Sequence, residues 1–124
     1  MEKLRKLVLK LAQLINAPSY LLPTFEKSED FARPHIETQG NEYHYVIVER
    51  GQELERKKTT DLNQIIFWIF ESVTFSMALK IELANRIEGE DIRIQLFKIQ
   101  EELIEKVNPE FKLILEKKHK KLLR

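Results

Sequence analysis

The sequence predicts a single α+β domain over residues 1–124, a three-stranded antiparallel meander packed by one face on a layer of about four helices. Three observations carry this. The middle of the chain alternates apolar and polar residues around two glycine-containing turns. The flanking segments repeat their apolar residues at i, i+3, i+4 and i+7. Hydrophobic residues make up 43% and charged residues 33% of 124 residues, a globular balance in a chain long enough to bury a core without staples.

The first element is a helix over 2–16, with Leu4, Leu7, Val8, Leu11, Leu14 and Ile15 on one face and Pro18 ending it. Residues 17–33 hold two prolines and no period, yet also Tyr20, Phe25 and Phe31. A connection of this length either packs or makes a contact. The meander occupies 33–58, with turns expected at Gly40-Asn41 and Gly51-Gln52. Counting from those turns sets Ile36 opposite Tyr45, Glu37 opposite His44, Glu49 opposite Leu54, Ile47 opposite Arg56 and Arg50 opposite Glu53. Ile36, Tyr43, Tyr45, Ile47 and Leu54 then share the core face, with Glu49 and Arg56 as an ion pair at its end. Arg33, His35, Glu37, His44, Val46, Val48, Arg50, Glu53 and Glu55 share the outer face. A one-residue slip would exchange the two sets.

Residues 60–87 form the central buried helix, capped by Thr60 or Asp61 and apolar nearly all round. A further helix covers 90–107, entered through Glu90-Asp91. Asn108-Pro109 opens the last one, 109–122. The apolar runs fall short of a bilayer span, so no membrane partner is expected.

There is no cysteine, which excludes a disulfide framework, thiolate metal sites and a cysteine nucleophile, and is consistent with a cytoplasmic protein. Three scattered glycines cannot build a phosphate-cradling loop, and no serine-elbow or zinc-helix motif is present. His35, His44 and Glu37 could hold a metal, but a solvent-facing cross-strand set is the better reading. Neither metal nor cofactor is expected. The net charge of +1 is unevenly spread: −5 over residues 17–55 and +5 over residues 112–124. The basic run at 117–121 reads as a solvated helix end, so nucleic acid is a disfavoured partner. A small nucleic-acid-binding regulator, and a hydrolase built on the carboxylates and histidines of the hairpin, stay as alternatives. The edge strands of a short sheet leave a homodimer open.

Several strings carry a family resemblance: RPHIE at 33–37, YHYVIVERGQELERKKTTDL at 43–62, WIFESVTFSMA at 68–78, NRIEGEDIR at 85–93 and LF at 96–97. Together they resemble the immunity protein 63 family of bacterial polymorphic toxin systems. The family pattern has an Arg-Arg pair where this chain has Arg93-Ile94. The resemblance implies a non-catalytic protein that binds and blocks a cognate toxin domain. The acidic zone suits a basic, nuclease-like toxin. The residues expected at the contact are Glu37, His44, Arg50, Glu53 and Glu55, with Tyr20, Phe25 and Phe31 as apolar anchors. Glu49, Arg56, Arg86, Asp91 and Arg93 match the motif and are expected to form structural ion pairs.

Overall fold

The computed structural model describes residues 1–29 and 32–124, arranged as two compact units. One comprises residues 1–10 and 18–69, the other residues 11–17 and 70–124.

The first unit holds the sheet. Its strands are β1 (Thr24–Phe25), β2 (His35–Gln39), β3 (Glu42–Glu49) and β4 (Gln52–Thr59), in the order β1-β2-β3-β4. The meander is as expected, but the sheet has four strands and is mixed, because β1 pairs parallel to β2. That strand is only two residues long. Its pairing is fastened at both ends by backbone bonds from Thr24 N–H to the Pro34 carbonyl and from Glu26 N–H to the Ile36 carbonyl. The first hairpin follows the expected register, with Ile36 opposite Tyr45, Glu37 opposite His44 and Thr38 opposite Tyr43. Gly40, at φ 58°, takes the first place of its turn, where a side chain would be strained.

The second hairpin departs from expectation. Its turn is Arg50-Gly51, both at positive φ (54° and 74°), which matches the twist of the strands. Glu49 lies opposite Gln52 and Val48 opposite Glu53, after which Leu54 is an extra residue in β4. Beyond this β-bulge Ile47 faces Glu55 and Val46 faces Arg56. The bulge shifts the register by one, so Arg56 joins the face of His35, Glu37 and His44, while Glu55 moves to that of Tyr45. Leu54, expected in the core, is exposed. Both faces of the sheet are covered at its centre, since Ile36 and Tyr45 on one and His35, His44 and Val46 on the other are all buried.

Helix α1 (Glu2–Leu14) ends two residues short of expectation, with Asn16 in the left-handed region and Ala17 N–H closing on the Ala12 carbonyl. Helix α2 (Leu62–Ala84) is capped by the Asp61 carboxylate, which accepts from Asn63 N–H at 2.9 Å. Ile65, Ile66, Phe67, Ile69, Phe70 and Val73 are buried, whereas Phe75, Ile81 and Leu83 are exposed. The central helix is therefore apolar all round only in its first half. By length and composition α2 could cross a bilayer, contrary to the run-length reading, and 44% of its most apolar stretch is buried inside the fold.

In the second unit, α3 (Ile92–Val107) and α4 (Pro109–Leu122) form a helical hairpin. Asn108 closes α3 and caps α4, accepting from Glu110 N–H at 2.9 Å, with Pro109 in the first turn. Ala78, Leu96 and Phe97 form a small core flanked by Leu79, Ile99 and Leu103. The Gln100 amide donates to the Glu71 carbonyl at 3.0 Å and to the Thr74 hydroxyl at 3.3 Å, and so satisfies a buried polar group between helices.

Candidate functional site

The densest constellation of charge lies on the sheet, where the bulge at Leu54 delivers Arg56 between two strands of acidic and imidazole groups. Arg56 Nη1 donates to Glu37 Oε1 at 3.0 Å and to His44 Nδ1 at 2.7 Å. Its Nε and Nη2 donate to Glu53 Oε1 at 3.0 and 2.7 Å. Glu37 Oε2 receives His35 Nε2 at 2.6 Å, and His44 Nε2 lies 3.4 Å from Glu42 Oε1. One guanidinium thus ties β2, β3 and β4 together.

The geometry sets the protons. A guanidinium only donates, so His44 Nδ1 must accept and its ring proton sits on Nε2, toward Glu42. His35 donates from Nε2, and its buried Nδ1 has no partner among the described residues. The Arg56 guanidinium, and secondarily His35, hold the Glu37 carboxyl below the ordinary carboxylate value. Arg56 does the same to Glu53, and the two carboxylates together push the arginine up.

This arrangement is a clamp rather than a reaction centre. Both Glu37 oxygens are engaged, so it offers no free base. The place a metal ion would take between Glu37 and His44 is filled by a cationic side chain. Among the described residues, no three His, Asp or Glu side chains converge so as to hold a metal.

The other expected site residues are dispersed around it. His44 is 1% exposed, so it is part of the interior and not a contact residue. The Glu49–Arg56 ion pair does not form: Arg56 lies on the opposite face, and Glu49 ends β3 exposed. Arg50 sits in the turn instead of opposing Glu53. Glu55 lies 3.4 Å from Lys57, whose ammonium stands 4.9 Å from the ring centres of both Tyr45 and Trp68. Tyr20 is exposed in a short 3₁₀ turn (Ser19–Leu21) and Phe25 is half-buried in β1. Phe31 lies outside the described residues.

The connection around them is fastened by Arg33, which donates to the Leu22 carbonyl at 2.9 Å, the Ser19 carbonyl at 3.1 Å and the Glu29 carboxylate. Residues 17–29 are therefore tied to the start of β2, as a packed connection would be.

The remaining motif residues pair within the second unit. Arg86 reaches back one turn to the buried Glu82 at 2.7 Å and lowers its carboxyl. Arg93 grips Asp91 at 2.7 Å, holding that carboxyl down at about 2, and donates to the Leu122 carbonyl at 2.8 Å. All three are engaged in ion pairs within the chain. The Glu82 partner was missed, although its spacing of four from Arg86 on a helix signals it.

The basic run is not wholly a solvated end. Lys118 pairs with Glu71, and His119 is buried, stacked on Phe97 at 3.8 Å with Nδ1 2.6 Å from Glu101. An open cavity of about 210 Å³ lies beside this stack, lined by Ile94, Phe97, Lys98, Glu101, Glu116, His119, Lys120 and Leu123.

Exposed carboxylates Glu49, Glu53 and Glu55 surround the Arg50-Gly51 turn, whereas the half-buried Glu42 lies at the other end of β3, beside the Gly40-Asn41 turn. A family model described as Immunity protein 63 matches residues 39–121, about two thirds of the chain. That span begins just before the first turn and takes in the clamp arginine and the Arg86 and Asp91–Arg93 ion pairs. No curated protein and no solved structure matches the chain.

Proposed function

The chain belongs to the immunity protein 63 family, and from that premise we propose that it neutralises a toxin by binding and occluding a cognate toxin domain in the cytoplasm of the producing bacterium. The family match carries this reading. The local chemistry supports it, because the charged cluster of the sheet is consumed by internal pairing, with both Glu37 oxygens engaged. Its role is to hold a rigid sheet whose turns present carboxylates.

The contact surface is the acidic rim at the end of the second hairpin, Glu49, Glu53 and Glu55, with Arg50 at the turn tip and Tyr20 as an aromatic anchor. Glu37 and His44 act behind it as supports. Such a rim complements a basic toxin surface, as on a nuclease, and steers its approach. Tyr20 is 63% exposed and rigidly based, which suits a residue that gains burial on binding.

The test is recovery of the partner with the full chain as bait, followed by mixing the two and assaying the toxin. One stoichiometric toxin-domain protein, inhibited on mixing, is the expected result. Recovery of nucleic acid alone would transfer the function to the basic termini. With the toxin in hand, the variant Glu49→Gln should slow association about twofold and flatten its salt dependence. An unchanged rate and salt slope would remove the acidic rim from the interface.

A further inference from the structure

The sheet ends in an unusual edge. Strand β4 is the last in the order and eight residues long, and no further strand pairs with its outer side among the described residues. An open edge presents a row of backbone donors and acceptors to any extended segment. Charges are scattered on most edges as protection. Here they are sorted: Glu53 and Glu55 stand in the first half of the strand, and Arg56, Lys57 and Lys58 in the second.

We propose that β4 pairs antiparallel with β4 of a second copy of this chain, about a two-fold axis at Arg56, and joins two four-stranded sheets into one. A two-fold axis normal to a sheet sets each strand against its own reverse. With Arg56 at the centre, Lys57 of each copy lies opposite Glu55 of the other. Lys57 and Glu55 share one face of the sheet, so the side chains of such a pair meet. Past the extra residue at Leu54 the next opposition is Lys58 with Glu53, again on a common face. The two Arg56 side chains face each other at the axis, but each is already covered by the carboxylates of its own Glu37 and Glu53. Lys57 is held for this role: its stem is half-buried and its ammonium rests over Tyr45 and Trp68, beside Glu55 of its own chain. The strand is thus complementary to its own reverse, which fits a second copy better than a strand of arbitrary sequence. A contact built on one strand pair is small, so the association is weak and concentration-dependent.

The inference does not depend on the toxin, whose contact with Glu53 and Glu55 would compete with this pairing, and its test uses the isolated full chain. Sedimentation equilibrium over a concentration series should show the mass rising from that of one chain toward that of two. Glu55→Lys and Lys57→Glu should each weaken association about tenfold, since each turns two symmetry-related attractions into repulsions. An equimolar mixture of the two variants should restore it, because each copy then offers the charge that the other lacks. The mixture leaves the pairing within each chain broken, so recovery can come only from contact between chains. A one-chain mass at every concentration, reversals without effect, or a mixture that fails to recover would each overturn the proposal. The unmodified chain gives a check that needs no variant: amides of residues 52–59 should exchange more slowly at high concentration than at low, and equal exchange rates would also overturn it.

Discussion

Arg56 does more structural work than any other single residue of the sheet. It bonds Glu37, His44 and Glu53 at once, and without it Glu37 would keep only the His35 bond and the buried His44 Nδ1 would lose its donor. Arg56→Ala should therefore lower stability by about 2 kcal/mol, most of it from the uncompensated Glu37 and His44. Arg56→Lys should recover only part, because an ammonium lacks the planar fork. Urea denaturation of the three proteins measures this. The same contacts set an acid dependence. Glu37 and Glu53 are held below the ordinary value of 4.5, so near and below it the unfolded chain binds more protons than the folded one. Their contribution is complete above 4.5 and is lost as pH falls through the depressed folded values. The urea midpoint should drop as pH falls below about 5, and drop less in Arg56→Ala, where the two carboxylates return toward ordinary behaviour. The charged types of this cluster were legible in the sequence, and so was the Glu37–His44 opposition. The identity of the arginine's partners was not, since that depended on one residue of register.

At the level of elements, the contrast between the two hairpins shows what pattern can and cannot reveal. Gly40-Asn41 is a turn with a glycine where positive φ is needed, and the first hairpin could be counted correctly from it. In the second, positive φ falls on Arg50 as well as Gly51, and an arginine gives no sign of that conformation. The extra residue at Leu54 leaves no mark either, because a bulge is a matter of backbone count and not of composition. The two-residue β1 was likewise hidden among prolines. The helices were read more reliably, since Asp61, Asp91 and Asn108 are cap residues whose chemistry announces a start. The turn itself makes a prediction. Arg50→Asn should stabilise the chain by a few tenths of a kcal/mol, since Asn tolerates the left-handed region, and Gly51→Ala should destabilise it by about 1 kcal/mol. Thermal denaturation of both variants distinguishes the signs.

Across the whole molecule the charge is partitioned by sequence, acidic over residues 17–55 and basic over the C-terminal helix, but the two ends of that partition are used differently. The carboxylates around the Arg50-Gly51 turn stay largely exposed, whereas Lys118 and His119 of the basic helix are drawn into pairing and burial. Removing residues 118–124 should therefore destabilise the C-terminal unit by about 2–4 kcal/mol, since it uncovers Phe97 and takes from Arg93 its bond to Leu122. A shortened chain that melts with the full one would show the tail to be dispensable. Sequence alone marked this tail as solvated because five polar residues in a row hide a single buried imidazole. Trp68 offers a different use of the fold. It is the one indole in the chain and lies beside the Lys57 ammonium, below the edge of the sheet. The protein therefore carries its own optical probe: emission from a single site reports the state of the strand-bearing unit without labelling, and any event that moves Lys57 should register there as a change in colour or yield.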